Sequence, residues 1–478
     1  MFKKVLAFIL ACSMSFAVVG CGESTDEKGD EMSETTNATD KKEPYTQANL
    51  PKYEPQEFEI CGLWAPTEMT EEAFLQYKEA GFNVVSFTNH DEVPRTSDNQ
   101  YYLGSNRTME ALKICKKVGL DVYIAYGNSW FVRAIEGQDY FGETPFSKHD
   151  YYGEYKDIIK GVHIKDEPHK DDMEAISNDT IIKDFQKVYP NAKYMVNIVS
   201  ITAGGEYYGY TDYYALFDDY MNSIVKKLDN PYISLDLYPF HNKLPDSPEK
   251  LAMGYDVIAK AAKETGASTT MIMQSSTGVE FHEELSEGDM RWQVYSALAF
   301  GAQNIQYYCY SKPVDRDYNC CMLMPDNKTP SYLYYYVQEI NNEIQGMASA
   351  MLAYSWDKSI GVSGTEEYSQ RVFALEYDDN LERSKFDDAK HFEEATATHD
   401  LIVSRFTSEK YGESYMFVNF AEREKTNTVT ATFKDCGAVA IYGGDGFTGT
   451  PKIVEIADDG KLSLELKYGE GVFIVPLS

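Results

Sequence analysis

The sequence predicts an α/β protein, a (β/α)8 TIM barrel with an appended C-terminal β-sandwich, and three observations support this fold class. From Phe58 onward, short β-branched or aromatic runs alternate with amphipathic helical patterns eight times. Eight alternations over roughly 300 residues match the size and rhythm of such a barrel. After about Ser355 the helical patterns stop and short strand-like runs follow. A doubly wound sheet also alternates strands with helices, but no Gly-rich phosphate loop follows the first strand here.

Each barrel strand is predicted from a run of β-branched or aromatic residues that is flanked by turn residues. In chain order these runs are Glu59–Ala65, Phe82–Phe87, Leu120–Tyr126, Gly161–Asp166, Lys193–Val199, Tyr232–Tyr238, Ser268–Gln274 and Gln303–Tyr308. The helical patterns between and after them are Thr70–Ala80, Thr108–Val118, Asp212–Lys227, Pro248–Thr265, Asp289–Phe300 and Pro330–Ala350. Gly81, Gly119 and Gly266 directly follow three of these patterns, where a C-terminal cap belongs.

The C-terminal strands are separated by turn clusters such as Gly443–Gly446. They are Arg371–Leu375, Asp400–Phe406, Ser414–Phe420, Asn427–Phe433, Ala438–Tyr442 and Gly471–Pro476. We therefore place the barrel at residues 58–354 and the β-sandwich at residues 355–478. We expect the sandwich to serve packing and stability rather than glycan binding.

Charge and composition narrow the class of ligand. The 478 residues include 44 basic and 76 acidic side chains, a formal net charge of −32. This balance argues against nucleic acid, because phosphate binding depends on clustered Lys and Arg. It argues equally against electrostatic attachment to anionic lipid. The 38 Tyr residues favour neutral ligands that stack on aromatic rings.

The N-terminus has the pattern of a targeting segment. Two lysines precede an apolar run from Val5 to Val19, which is too short to span a membrane and predicts a signal peptide over residues 1–20. The run ends in VVGC, which resembles the bacterial lipobox and implies a lipid on Cys21 and a place in the cell envelope, outside the cytoplasmic membrane. Ordinary secretory cleavage near Cys21 is the alternative. Residues 21–57 are acidic and poor in aliphatic residues, so we expect a disordered tether and membrane contact only through the lipid.

Polar residues concentrate where the barrel should open. Barrel enzymes place their chemistry at the carboxyl ends of the strands, and strand alternation indicates which side chains face inward. The inward candidates are His163, Lys165 and Glu167 of the fourth strand, Asn197 of the fifth, Ser234, Asp236 and Tyr238 of the sixth, and Asn304, Gln306, Tyr308 and Tyr310 of the eighth. Because such groups are costly to bury without partners, a polyhydroxylated ligand is the natural partner.

The fourth strand ends in the motif Lys165-Asp166-Glu167-Pro168. Clan A glycoside hydrolases share a (β/α)8 barrel whose fourth strand ends in an Asn-Glu pair, often followed by Pro, in which the Glu is the general acid/base. The chain resembles this clan over residues 58–350, with Asp166 in the Asn position and Glu167 in the Glu position. The run Met290–Tyr310 is similar to the last helix-strand unit of family 42-like barrels. The resemblance implies an O-glycosyl hydrolase with Glu167 as general acid/base; a structural Asp-Glu pair is the alternative.

The second carboxylate departs from the clan pattern. Clan A enzymes carry their nucleophile at the end of the seventh strand, but that strand ends here in Gln274 and Ser275. Asp236, or a loop acid among Glu280, Glu283 and Glu284, could take the role. Alternatively, the Asp166-Glu167 pair resembles that of family 20 hexosaminidases, in which the substrate's acetamido group attacks. The barrel could also have lost catalysis and kept sugar binding.

Further substrate contacts are expected at the strand ends. Aromatic rings there can stack on sugar faces, and polar side chains can contact hydroxyl groups. The predicted contacts are Trp64, Tyr126, Tyr238 and Tyr310 among the aromatic residues and His90, Asn128, Lys165, Asn197 and Gln274 among the polar ones.

Other chemistries lack their motifs. The sequence has no HxH or HExxH metal motif, no Walker loop, no GxSxG and no nicotinamide fingerprint, so we expect no metal and no cofactor. The cysteines form no CxxC pair and indicate neither a disulfide scaffold nor a zinc site, and the adjacent Cys320 and Cys321 have no explanation. We expect an oligo- or polysaccharide partner, bound by a surface-anchored glycoside hydrolase or by a non-catalytic glycan-binding lipoprotein. An envelope role unrelated to sugar is a third reading.

Overall fold

The computed structural model describes residues 44–87, 106–125, 146, 152–242, 247–278, 280–282, 284–313, 316–366, 386, 388–444 and 446–477. This part of the chain contains a closed parallel barrel of eight strands and two separate antiparallel sheets. The predicted fold class, a TIM barrel with a β-sandwich, is thereby confirmed.

All eight predicted barrel strands are present. They are β1 (Glu59–Gly62), β2 (Val84–Ser86), β3 (Asp121–Ala125), β4 (Ile159–Asp166), β5 (Lys193–Ile198), β6 (Tyr232–Asp236), β7 (Ser268–Gln274) and β8 (Asn304–Tyr308). Each strand pairs with the next, and β8 closes the barrel on β1 in parallel register.

Helices surround the strands. They are α1 (Glu71–Glu79), α2 (Asn106–Val118), α3 (Lys170–Ile176), α4 (Asp179–Val188), α5 (Tyr213–Ser223), α6 (Ser247–Thr265), α7 (Glu287–Ala299) and α8 (Tyr332–Met351). The expected cap glycines Gly81, Gly119 and Gly266 all have positive φ, a conformation that glycine adopts without steric cost. The sequence analysis did not predict the short helices α3 and α4.

The amino end of the barrel is filled. Lys193 Nζ of β5 lies 2.6 Å from Glu59 Oε2 of β1, and the Tyr123 hydroxyl donates a hydrogen bond to Glu59. A buried apolar cluster that includes Met195 and Tyr232 lies beside this ion pair. Side chains of β1, β3 and β5 thus pack together at the amino end of the barrel.

The C-terminal region forms two antiparallel sheets. Their strands are β9 (Ser355–Val362), β10 (Phe392–Ala397), β11 (Leu401–Ser408), β12 (Gly412–Asn419), β13 (Asn427–Phe433), β14 (Ala438–Gly443), β15 (Lys452–Glu455), β16 (Lys461–Leu466) and β17 (Gly471–Leu477). One sheet has the order β10-β13-β16 and the other β15-β14-β17-β12-β11-β9. Side chains of both sheets, among them Phe392, Phe417 and Phe433, share one apolar core. The predicted strand Arg371–Leu375 lies outside the described residues.

The larger sheet also covers one side of the barrel. The Trp292 ring of α7 packs on Phe420, with ring centroids 4.9 Å apart, and Arg423 Nε donates to Asp289 Oδ1 of α7 at 2.8 Å. Helix α7 is therefore buried on several faces, between the barrel and the sheet. This position explains why its sequence is apolar around most of its circumference.

Part of the expected tether is folded. The ring of Tyr53 lies 4.9 Å from that of Tyr411, and its hydroxyl is 3.1 Å from the Tyr354 hydroxyl. Residues 45–57 thus belong to the compact unit Tyr45–Ser478. Among the helices of the described residues, none is long and apolar enough to cross a membrane.

Candidate functional site

A pocket of about 310 Å³ opens at the carboxyl ends of β4 and β6. Its volume is at the lower end of the range for small-molecule sites, about 300–1,000 Å³. The lining includes Asp166, Glu167, Ser200, Thr202, Tyr208, Asp236, Tyr238, His241, Glu280, Phe281, Tyr308, Arg316 and Tyr318. The predicted catalytic residues Glu167, Asp166 and Asp236 therefore meet in one place.

Glu167 has an unusual backbone. Its φ is +42°, although it is not a glycine, and its amide nitrogen donates to the Asn197 carbonyl at 2.9 Å. Non-glycine residues in this region carry strain and concentrate at functional sites. The conformation follows directly after β4 and lets both Asp166 and Glu167 line the pocket.

The Glu167 carboxyl group is set up to hold a proton. Burial and then the charge of Asp166 raise the pKa of Glu167 above that of an ordinary glutamate. The Tyr208 hydroxyl donates to Glu167 Oε2 at 3.1 Å, and this hydrogen bond, like the charge of Arg316, lowers the pKa in part. The net direction is upward, as a general acid near neutral pH requires.

Asp236 lies behind Glu167 at the end of β6. Its side chain is buried, and burial, followed by the charges of Glu167 and Asp166, raises the pKa of Asp236 well above the ordinary value. Asp236 and Glu167 line the same pocket, and the negative charge of Glu167 opposes ionisation of Asp236.

Asp166 is held by a polar chain across three strands. Asn197 Nδ2 donates to Asp166 Oδ1 at 3.0 Å, and the Ser234 hydroxyl donates to Asn197 Oδ1 at 2.9 Å. Asn197 is nearly buried, so its role in the structure is to orient Asp166.

Four aromatic rings form one wall of the pocket. The ring of Tyr238 lies 5.4 Å from Tyr308 and 5.7 Å from Phe281, and Phe281 stacks on Tyr318 at 5.6 Å. The Tyr318 hydroxyl donates to the Tyr308 hydroxyl at 3.3 Å. We call this set the aromatic wall. Of these four residues, Tyr238 was predicted as a ligand contact and Tyr308 as an inward-facing residue, whereas Phe281 and Tyr318 were not predicted.

The loops after β6 and β7 carry further pocket residues. His241 and Phe281 form an antiparallel bridge, and the Asn242 amide donates to the Glu280 carbonyl at 2.7 Å, so the two loops are paired. This pairing brings Glu280 into the pocket lining. Glu284 is exposed and does not line the pocket, and Glu283 lies outside the described residues.

Four of the predicted ligand contacts do not line this pocket: Lys165, Gln274, Tyr310 and Trp64. Lys165 pairs with Asp172 of α3 at 3.2 Å, because a register shift between His163 and Lys165 interrupts the alternation that placed it inside. Gln274 is fully buried, and its side chain is hydrogen bonded to the Phe240 backbone at 3.0 and 3.3 Å.

The remaining two are aromatic. Tyr310 is fully buried in the core, with its ring 4.8 Å from Tyr77. Trp64 packs on the buried cluster beside the aromatic wall rather than lining the pocket. The predicted residues Cys21, His90, Tyr126 and Asn128 lie outside the described residues.

A larger cleft of about 930 Å³ lies at the side of the barrel, against the sandwich, and includes Arg291, Glu343 and Tyr468. It shares no lining residue with the pocket that holds Glu167 and Asp236, so we place the candidate active site at the barrel mouth. Within the described residues, no group of three or more His, Cys, Asp or Glu could hold a metal ion.

No protein-family model matches the chain, and no curated protein matches it. Among solved structures, it resembles a family 39 glycoside hydrolase from the gut symbiont Bacteroides cellulosilyticus WH2, at 13% identity over 87% of this chain and 80% of that chain, with a TM-score of 0.48. It also resembles a family 5 glycoside hydrolase from Bacteroides vulgatus ATCC 8482, at 10% identity over 88% and 89% of the two chains, with a TM-score of 0.48. The endo-beta-1,4-mannanase from Thermotoga petrophila matches at 12% identity over 86% and 98%, with a TM-score of 0.40. At these identities, the activity of this chain has to be inferred from its own residues.

Proposed function

We propose that the chain is a glycoside hydrolase that cleaves an extracellular glycan, with Glu167 as the general acid/base. The observation that carries this proposal is the acid pair: Glu167 and Asp236 line one pocket at the barrel mouth beside Asp166, and the pKa of each is raised. Glycoside hydrolysis needs one carboxyl group that stays protonated near neutral pH. The aromatic wall beside this pair offers apolar faces for a sugar ring.

In this mechanism Glu167 donates its proton to the glycosidic oxygen while the bond from that oxygen to the anomeric carbon breaks. The bonding electrons leave with the oxygen, and positive charge develops on the sugar ring. Asp236 is more deeply buried than Glu167, so we assign it to positioning the acid rather than to attack on the sugar. Tyr208 positions the Glu167 carboxylate through its hydrogen bond.

For the second carboxylate we propose Glu280. Asp236 lies against Glu167, whereas an attacking or water-activating carboxylate must stand across the sugar ring from the acid. Glu280 reaches the pocket from the loop after β7, the strand that ends without an acid of its own. Loop pairing with His241 and Asn242 keeps it there.

The test is hydrolysis of a broad panel of glycans and aryl glycosides, including 2-acetamido sugars, by the compact unit from Tyr45 onward. We expect Glu167→Gln to lower kcat/KM on natural glycans by about 10²- to 10⁴-fold, the usual contribution of general acid catalysis. Glu280→Gln should also lose most activity. Glu284→Gln, an exposed residue of the same loop, is the matched control and should keep it. Full activity of Glu167→Gln would refute the assignment of the acid.

A non-catalytic glycan-binding protein is the second candidate, and one observation favours it. The end of β7 offers only Gln274, which its hydrogen bonds hold in the core, followed by Ser275 and Ser276. A folded protein that binds glycans on the panel but releases no product would support this reading.

We further propose that the protein is lipid-anchored outside the cytoplasmic membrane through Cys21. The supporting observations are the short apolar run before VVGC and the acidic stretch after it. Metabolic labelling with an alkyne fatty acid should mark the full chain, and Cys21→Ser should abolish the label. A labelled Cys21→Ser variant would contradict the anchor.

A further inference from the structure

Three cysteines lie close to the aromatic wall, and they differ in what their sulfur atoms contact. Cys309 Sγ and Cys321 Sγ are 3.5 Å apart, and both residues are fully buried. Cys320 Sγ instead donates to the Cys321 carbonyl oxygen at 3.0 Å. Cys320 and Cys321 are adjacent in the sequence, but their sulfur atoms have different partners. The sulfur–sulfur contact is between Cys321 and Cys309.

The surrounding backbone already holds these two sulfurs together. The Met322 amide donates to the Cys309 carbonyl at 3.3 Å, and the Leu323 amide donates to the Tyr310 carbonyl at 2.9 Å. The segment with Cys321 thus runs beside the end of β8. A disulfide has an S–S distance of about 2.05 Å, so the two sulfur atoms, 3.5 Å apart, would have to approach further.

We propose that Cys309 and Cys321 form a disulfide bond, with Cys320 left as a thiol. The bond would tie the end of β8, where Tyr308 lies, to the loop that carries Tyr318. Both tyrosines belong to the aromatic wall, and Phe281 and Tyr318 share a buried cluster with the two cysteines. The cross-link would therefore restrict movement of Tyr318 relative to Tyr308 within the aromatic wall.

The chemistry is thiol–disulfide exchange with an external disulfide as the oxidant. The thiolate of one cysteine attacks a sulfur of that disulfide and releases one thiolate. The second cysteine then attacks the mixed disulfide, the intramolecular S–S bond forms and the second thiolate leaves. The two cysteines lose two electrons and two protons, and the external disulfide becomes two thiols.

Burial determines when this exchange occurs. The pKa of the Cys309 thiol is raised well above its usual value, first by burial and then by its contact with Cys321. Because the thiolate is the reacting form, the folded protein exchanges slowly. The bond should form while the chain folds and then resist small reductants. The predicted export to an oxidising compartment is compatible with this timing.

The test is peptide mapping of the unmutated chain, unfolded and then refolded with a mixture of oxidised and reduced glutathione. Free thiols are blocked with N-ethylmaleimide in denaturant without a reductant, and the protein is cut with trypsin. Arg316 lies between the two cysteines, so cleavage after it places them on different peptides. We expect a linked pair, lighter by two hydrogen atoms than the two thiol peptides together, with Cys320 blocked.

Substitutions identify the partner. Cys320→Ser is the matched control and should keep the link, whereas Cys321→Ser should lose it. Recovery of Cys309 and Cys321 as blocked thiols would overturn the proposal, and so would a link from Cys320 to either neighbour. The result depends on neither hydrolysis nor the lipid anchor, so it is independent of both proposals above.

Discussion

Two neighbours of Glu167 act on its proton in opposite directions. The charge of Asp166 raises the pKa of Glu167, because a second negative charge nearby disfavours ionisation. The hydrogen bond from Tyr208 lowers that pKa, because it stabilises the carboxylate. Burial raises the pKa of Tyr208 itself, so its hydroxyl remains a donor over the working pH range.

These opposing effects predict the pH dependence of two variants. Activity needs the protonated acid, so kcat/KM should fall as the pH rises through the pKa of Glu167. Asp166→Asn lowers that pKa and should move the alkaline limb of the profile to lower pH. Tyr208→Phe removes the stabilising donor and should move the same limb to higher pH. The pH profiles of both variants, measured beside that of the unmutated protein, check these directions. If the alkaline limb moves in the same direction in both variants, this explanation is wrong.

At the scale of elements, an aromatic patch stands beside the acid. The rings of His169, Tyr207 and Tyr208 lie 5.1–5.2 Å from one another, and His169 directly precedes α3. Tyr207 is 76% exposed, more than any other large hydrophobic residue in the described part of the chain. If the proposed function holds, a glycan that extends out of the pocket would contact this ring.

Tyr207→Ala should therefore weaken binding of long substrates. Aromatic contacts are worth about 0.5–1.5 kcal/mol, so we expect KM for an oligosaccharide to rise about two- to tenfold. The kcat value and the KM for a small aryl glycoside should hardly change. Tyr335→Ala, on the exposed side of α8, is the control for loss of a surface ring. Equal KM values for the Tyr207 variant and the unmutated enzyme on every oligosaccharide would rule out this contact.

The strands and the position of Glu167 could be predicted from the sequence, whereas most of the pocket could not. Alternation and turn residues locate each barrel strand, and Glu167 follows from its place at the end of β4. Tyr208, Arg316 and Tyr318 come from loops, where no periodicity indicates which side chain turns inward. Lys165 was misplaced because the register shift in β4 leaves no mark in the alternation. In the sandwich, β10 was missed because consecutive Glu residues hide its apolar face.

At the scale of the whole molecule, one buried carboxylate joins the barrel to the sandwich. Asp289 of α7 is fully buried and accepts hydrogen bonds from Arg423 Nε at 2.8 Å and from the Tyr468 hydroxyl at 3.0 Å. Its Oδ2 also accepts from the Ser286 amide at 2.7 Å, as part of the cap of α7. Asp289 is thus both a helix cap and the contact that fixes the sheet.

Arg423→Ala should lower the free energy of unfolding by about 2–3 kcal/mol, because it leaves a buried carboxylate without its cation. Lys461→Ala removes an exposed pair with Asp459, 3.6 Å apart, and should cost less than about 1 kcal/mol. Denaturant unfolding of both variants gives the comparison. Equal losses would show that Arg423 does not secure the joint.

The strand order of the larger sheet also determines when this sheet can be completed during synthesis. Strand β17 lies between β14 and β12, so neither of them has its full set of partners until residues 471–477 have been made. At about 5–20 residues per second, the interval between the end of β8 at Tyr308, when the barrel can close, and the end of β17 at Leu477 lasts on the order of 10–30 s. For that time a newly made barrel shows the Trp292 face of α7 to its surroundings. The larger sheet is completed late in synthesis, and the growing chain is most prone to aggregation just before the sheet packs on α7.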